Sequence, residues 1–198
     1  MSETVRHKEK TAFLLEKGLE LLWFKGYNGT SVNDIVKVAD VPKGSFYFYF
    51  DSKEDFAVKA LDRYFTLKRE ATAEMLEDES IPPSQRLYNY YDKRVTIMKE
   101  QLKCTLGCMA CNIGNEMAEH SERIRLTVVN HEERIRRQII DVVIAAQMNE
   151  EIDHTVNPDK IVAFIEDAYK GMLISMKSSQ SAEPLDNFLF FLKTLILK

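Results

Sequence analysis

The chain has 198 residues, of which 45% are hydrophobic, and a formal net charge of −4 at pH 7, so it can fold as one large or two small domains. It holds no apolar run near the roughly 20 residues that span a bilayer, and its N-terminus shows no apolar stretch typical of a signal peptide. We therefore expect a cytoplasmic protein whose three cysteines are reduced.

Charge is unevenly distributed along the chain. Residues 1–53 hold eight Lys or Arg against seven Asp or Glu, a net charge of +1, and the remaining residues therefore carry −5. Binding to nucleic acid depends on local positive charge more than on the total. The first 53 residues are thus the better candidate for contact with an anionic partner, although a merely solvated surface also explains so small a difference.

The first predicted helix covers residues 4–25, where apolar side chains recur at helical spacing. Gly26 is expected just after it, because glycine readily adopts the left-handed backbone that ends many helices. Trp23 and Phe24, near the end of this helix, are expected to lie in the core.

Residues 30–53 predict two short helices joined by a tight turn. Thr30 and Ser31 are typical N-cap residues, and Asp34 follows Ser31 at the spacing of a capping box. Pro42 suits the first position of the second helix, which is expected to end at Phe50.

This layout is typical of a helix-turn-helix, whose second helix enters the DNA major groove with its N-terminal residues leading. Lys43 can reach a phosphate or a guanine edge, Ser45 can bond to several bases, and Phe48 can contact a thymine methyl group. Phe46 and Phe50 are expected to pack inward. The alternative is a helical hairpin inside an all-α protein, with these aromatic side chains as core.

A resemblance to a known family rests on the order of these residues. Thr30-Ser31, Val36-Lys37, the run from Val41 to Tyr47, Phe50 and Ser52-Lys53-Glu54 resemble the DNA-binding domain of the TetR family, densely from about residue 10 to 65. The resemblance implies a bacterial transcriptional regulator, usually a repressor, that binds a double-stranded DNA operator as a homodimer and carries an all-helical effector domain. Pro42 departs from the usual Ser or Thr of the family, and Tyr49 from its frequent His.

Domain boundaries and candidate residues follow from this resemblance. We expect a helix-turn-helix domain over residues 1–51 and a helical effector-binding and dimerisation domain over residues 52–198. The candidate DNA-binding residues are Thr30, Ser31, Lys43, Gly44, Ser45, Tyr47, Phe48, Tyr49 and Lys53.

The rest of the chain predicts further helices and no strands, about nine helices in all. A long fourth helix from residue 52 to 75–77 is ended by Pro82-Pro83, and helices follow over 84–101, 104–118, 121–148, 158–178 and 184–197. The last two are apolar around much of their circumference, which indicates burial on more than one side. In a TetR-like protein they would pair with the same helices of a second subunit.

The three cysteines allow three interpretations. On a helix Cys104, Cys108 and Cys111 would share one face, where they could be core residues, metal ligands or reactive thiols. Zinc usually needs four ligands and no histidine lies at finger-like spacing, so we expect no metal and no cofactor. A helix start and a nearby cation could lower the pKa of a thiol.

A second resemblance bears on the effector. Gly107-Cys108, Gly114-Asn115-Glu116, Ser121-Glu122, Gly171 and residues 177–185 resemble a TetR subgroup in which some members sense electrophiles or oxidants, such as the N-ethylmaleimide- and aldehyde-responsive repressor. It implies that Cys108 is reactive and that Lys177 modulates it, with Cys104 or Cys111 as resolving thiols. The alternative is a small apolar effector in a pocket lined by Phe65, Tyr88, Tyr91, Met98 and Met109, which also fit ordinary core.

Other classes of function fit less well. No Ser/His/Asp arrangement and no phosphate-binding glycine loop occurs, so an enzyme is not expected. A helical interaction or adaptor dimer without DNA binding would share the helices and the dimer face. It would not explain Lys43-Gly44-Ser45 beside a tight turn.

Overall fold

The structure, a computed structural model, describes residues 3–196, although not the side chains of residues 3–6, 68–71, 73, 195 and 196. Leu197, at the end of the predicted final helix, lies outside this range, as do residues 1, 2 and 198. The described residues form nine α-helices: α1 Glu3–Lys25, α2 Val32–Val38, α3 Lys43–Tyr49, α4 Lys53–Glu77, α5 Pro83–Thr96, α6 Met109–Met117, α7 Glu122–Met148, α8 Pro158–Ser179 and α9 Glu183–Phe191. Single π-helical turns continue α5 (Ile97–Gln101) and α9 (Leu192–Ile196). The predicted all-α class is confirmed.

The chain divides into two compact units. The first holds the residues up to Leu67 together with Met109–His131, and the second holds Lys68–Cys108 together with the residues from Glu132 onward. Helices α4 and α7 therefore contribute to both units. The functional boundary expected between residues 51 and 52 stays a prediction.

The start of α2 shows why the turn forms where the sequence predicts it. Ser31 Oγ accepts a hydrogen bond from Asp34 N at 3.1 Å, and Asp34 Oδ2 accepts one from Ser31 N at 2.9 Å. The predicted capping box is confirmed. The Ser31 hydroxyl also donates to Asp34 Oδ2 at 2.7 Å, and this bond together with the one from Ser31 N lowers the pKa of Asp34. Pro42 is the N-cap of α3 rather than its first helical residue.

Two expectations about local structure are wrong. Phe24 is 74% exposed, whereas Trp23 packs edge-on against Tyr64, with ring centroids 5.4 Å apart. The helix predicted over residues 104–118 begins only at Met109. Lys103 and Cys104 have φ angles of 50° and 58°, a left-handed conformation that a right-handed helix cannot contain, so the three cysteines do not share a helical face.

A buried arginine joins α5 to α8 in the second unit. Arg94 Nη1 lies 2.8 Å from Glu166 Oε1, and the Tyr91 hydroxyl donates to the same oxygen at 2.7 Å. The guanidinium carbon lies 3.7 Å from the centroid of the Tyr169 ring. Burial alone would lower the pKa of Arg94, but the Glu166 carboxylate and the neighbouring tyrosines together outweigh it, and the pKa is raised.

Replacing Glu166 by alanine tests the importance of this ion pair. Removing one partner leaves a buried charge uncompensated, so we expect Glu166→Ala to lower the free energy of unfolding by about 3–5 kcal/mol. Urea unfolding followed by circular dichroism measures the difference. Asp186→Ala, which breaks the exposed ion pair with Lys99, is the control and should cost less than about 1 kcal/mol. Equal effects of the two variants would contradict this assignment.

Candidate DNA interface and sensor cysteine

Helix α3 has an inner aromatic face that fixes its position. Phe46 and Phe50 are 0% and 1% exposed, which confirms that they pack inward. Their rings lie 5.8 Å and 5.0 Å from the ring of Phe56 on α4. This aromatic cluster anchors α3 on the rest of the first unit, and the opposite face is left to solvent.

The outer face of α3 carries the predicted DNA-reading residues. Lys43 and Gly44 are exposed, and Tyr47 and Phe48 are 58% and 69% exposed, whereas Ser45 and Tyr49 are half-buried. A Cβ atom added at Gly44 would meet nothing within 4 Å, so the backbone is open to close approach by another surface. The side chains of Lys43, Tyr47 and Phe48 are open to solvent, and direct contact with bases stays a prediction.

Thr30 and Lys53 have structural partners in the connection between α1 and α2. The Thr30 hydroxyl is buried and donates to the Gly26 carbonyl at 2.8 Å. The Lys53 ammonium donates to the carbonyls of Tyr27 and Thr30, both at 3.0 Å. Together with the Ser31 cap, these bonds hold the entry to α2, and DNA contact by Thr30, Ser31 and Lys53 stays a prediction.

A carboxylate on α6 holds the same connection. Glu116 accepts hydrogen bonds from the backbone N–H groups of Tyr27 and Asn28, each at 2.7 Å. Gly26 has φ +75°, a left-handed backbone that favours glycine, and a Cβ there would lie 2.7 Å from Glu116 Oε2 and displace this carboxylate. Sequence reasoning missed this role because the partners are 89 and 88 residues apart.

The candidate sensor cysteine, Cys108, is the last residue of the first segment of the second unit. Cys108 is 5% exposed and immediately precedes α6. None of the three cysteines is in a disulfide, and Cys104 is buried and Cys111 half-buried. Lys177 is exposed in the last turn of α8, and its action on Cys108 stays a prediction.

The aromatic and methionine residues proposed for a pocket are packed in the interior. Phe65, Tyr91, Met98 and Met109 are at most 4% exposed, and Tyr88 is half-buried. Phe65 and Met109 belong to the first unit, and the other three belong to the second. Phe65 stacks on His131 with centroids 4.4 Å apart. Their role toward an effector stays a prediction.

A groove lies elsewhere, between α8 and α9. It has a volume of about 330 Å³, and its lining is almost entirely apolar, with Phe164, Ile165, Met172, Phe188, Phe191 and Leu192 among the lining residues. Both helices were predicted to bury apolar surface on more than one side. Within the described range, no helix is both long and apolar enough to cross a membrane.

The sequence matches two family models. Residues 14–60 match the bacterial regulatory proteins of the tetR family, and residues 83–191 match the tetracyclin repressor-like C-terminal domain. The chain belongs to the TetR family. It is therefore a transcriptional regulator, and its relatives confirm the expectation that it is not an enzyme.

Similar proteins cover nearly the whole chain. The transcriptional repressor DhaR of Mycobacterium sp. (strain GP1) is 33% identical over 89% of this chain and 86% of its own length. The repressor NemR of Escherichia coli K12 is 28% identical over 92% of each chain. The crystal structure of the reduced form of E. coli NemR superposes with a TM-score of 0.86 at 26% identity, covering 95% of this chain and 97% of that one.

The two hydrogen bonds that Glu116 accepts can be tested by substitution. Glu116→Ala leaves two backbone N–H groups without their charged acceptor, and we expect the free energy of unfolding to fall by about 1–3 kcal/mol. Trp23 lies in the first unit and is the single tryptophan of the chain, so its fluorescence during urea unfolding reports the change. Exposed Glu119→Ala is the matched control and should change stability by less than about 0.5 kcal/mol. Loss of stability in both variants alike would refute a specific role for Glu116.

Proposed function

We propose that this chain is a dimeric repressor that leaves its DNA operator when an electrophile modifies Cys108. One observation carries the proposal: the buried thiol of Cys108 directly precedes α6, and α6 carries the carboxylate that holds the connection before the helix-turn-helix. The similarity to NemR, whose structure was determined in a reduced form, supports a thiol-dependent state. A DNA target implies that the protein works in the cytoplasm.

DNA binding is assigned to the outer face of α3. Lys43 and Ser45 lie in its first turn, with Tyr47 and Phe48 exposed one turn further on. Their donors and apolar edges fit the phosphates and base edges of a major groove. The buried side chains of Phe46 and Phe50 keep the opposite face of α3 exposed. An adaptor that does not bind DNA would not need hydrogen-bond donors and aromatic side chains together on that face.

Dimerisation is assigned to α8 and α9. Phe164, Phe190 and Phe191 are 63%, 61% and 53% exposed, beside the apolar groove between the two helices. An apolar surface of this kind on a soluble chain marks an interaction site. In a two-fold dimer the same patch meets itself, and the two α3 helices then read two half-sites of one operator.

The switch follows from close packing around Cys108. A group added to a buried thiol overfills the interior, which costs about 1–3 kcal/mol. That is also the typical range of coupling free energy between an effector and a second ligand. Relief of the strain by a shift of the residues that start α6 would move Glu116 and loosen the connection between α1 and α2.

Substitution of Cys108 tests the sensor. We expect methyl vinyl ketone to weaken binding of the wild-type protein to the DNA upstream of its coding region by about tenfold or more. Cys108→Ser should bind equally well before and after treatment, because it lacks the nucleophile. Cys111→Ser is the control and should still respond. Fluorescence anisotropy measures the affinities, and release of Cys108→Ser by the reagent would rule out this cysteine as the sensor.

The dimer is tested by placing a charge on the apolar patch. Phe164→Glu should convert a dimer of about 46 kDa, twice the 23.0 kDa of one chain, into a monomer, because a carboxylate is costly in an apolar interface. Light scattering after size exclusion gives the mass. Phe24→Glu, at a phenylalanine of α1 that is 74% exposed, is the control and should stay dimeric. A wild-type protein that is monomeric at micromolar concentration would contradict the assignment.

A further inference from the structure

Three aromatic rings meet between the start of α1 and the end of α3. The ring of His7 packs edge to face on the ring of Phe48, with centroids 5.2 Å apart, and lies 4.9 Å from the ring of Tyr49. Phe48 and Tyr49 also pack edge to face, with centroids 5.2 Å apart. Each ring therefore contacts the other two, and we call His7, Phe48 and Tyr49 the aromatic triad.

The triad restrains Phe48 although most of that side chain is exposed. Its exposed fraction is 69%, and exposed side chains ordinarily change rotamer within picoseconds to nanoseconds. His7 is half-buried, and its ring occupies space that the Phe48 ring would otherwise enter. Edge-to-face contacts also stabilise aromatic pairs beyond the area that they bury. The contacts with His7 and Tyr49 thus favour one orientation of Phe48 over the others.

Helix α1 places His7 at this point. The helix begins at Glu3, and the Thr11 hydroxyl donates to the His7 carbonyl at 2.9 Å. Leu14 lies on the same face of α1 two turns further on and is 1% exposed, so this face is held in the core of the first unit. Replacing the His7 side chain leaves the backbone bond and the buried Leu14 in place.

We propose that His7 is a positioning residue for DNA recognition, because it holds Phe48 in the orientation that contacts a thymine methyl group. The inference rests on the proposed DNA-binding face of α3 and adds a residue of α1 to those that determine base preference. A phenylalanine ring neither donates nor accepts a conventional hydrogen bond, so the apolar feature that it can read in the major groove is the C5-methyl group of thymine. A ring already held in place loses less conformational entropy on binding than one that is free to turn.

The test compares two DNA probes that differ only in the thymine methyl groups. One probe is the DNA upstream of the coding region, and the other has the same sequence with deoxyuridine in place of thymidine, which keeps the base pairing. Fluorescence anisotropy with the full-length protein measures the affinity for each probe. We expect the wild-type protein to prefer the thymine probe by about fourfold or more per half-site, which is the effect of burying one methyl group.

Substitutions of His7 separate positioning from other roles. His7→Ala should lose most of the preference for the thymine probe, because Phe48 is then free to turn. His7→Phe keeps a ring at this position and should retain the preference. The unfolding transition of His7→Ala, followed by the fluorescence of Trp23, should match that of the wild-type protein, since no core residue is changed.

Two further variants serve as controls. Lys10→Ala removes an exposed cation of α1 next to His7 in the helix and should keep the wild-type ratio of the two affinities. Phe48→Ala should abolish the preference. Adding His7→Ala to Phe48→Ala should not change the ratio further, because the two residues act through the same contact.

An unchanged preference in His7→Ala would overturn the inference. An equal loss of affinity for both probes, with a weaker dependence on salt, would also overturn it, since His7 would then contact a phosphate. A wild-type protein that binds both probes specifically and equally well reads no thymine methyl group, which contradicts the positioning role alone. A wild-type protein that binds neither probe specifically contradicts the proposed function as well.

Discussion

The charge of Arg94 is the constraint on which the second unit depends. A guanidinium that is 6% exposed must find a counter-charge and aromatic faces within the protein, because water is no longer available to it. Glu166 supplies the charge, and three tyrosines supply the surroundings. Meeting that requirement brings α5 and α8 together.

The first unit also contains polar groups that need a partner, namely backbone N–H groups just after the end of α1. Backbone N–H groups at Tyr27 and Asn28 need acceptors, and the acceptor comes from α6 rather than from a neighbouring residue. Because α6 starts at the residue after Cys108, this short helix directly follows the candidate sensor and carries Glu116, which binds the connection between α1 and α2. In the proposed switch, modification of Cys108 acts on this connection through α6.

The features that could be predicted from the sequence are those that depend on residues close together in the chain. The capping box at Ser31 and the inward pair Phe46 and Phe50 arise from residues a few positions apart, so local spacing was enough to predict them. The start of α6 was placed too early because nothing in the sequence reveals the left-handed backbone at Lys103 and Cys104. Glu116 and Arg94 could not be identified because their partners lie far away in the chain, and Phe24 could not be told from a core residue by its type.

The most direct test of the account measures amide hydrogen exchange at Tyr27 and Asn28 before and after alkylation of Cys108 in the full-length protein. If α6 transmits the modification, both amides lose the Glu116 acceptor and exchange faster after alkylation, while amides of helix α9 keep their rates. Unchanged protection of Tyr27 and Asn28 in alkylated protein that no longer binds DNA would contradict transmission through α6.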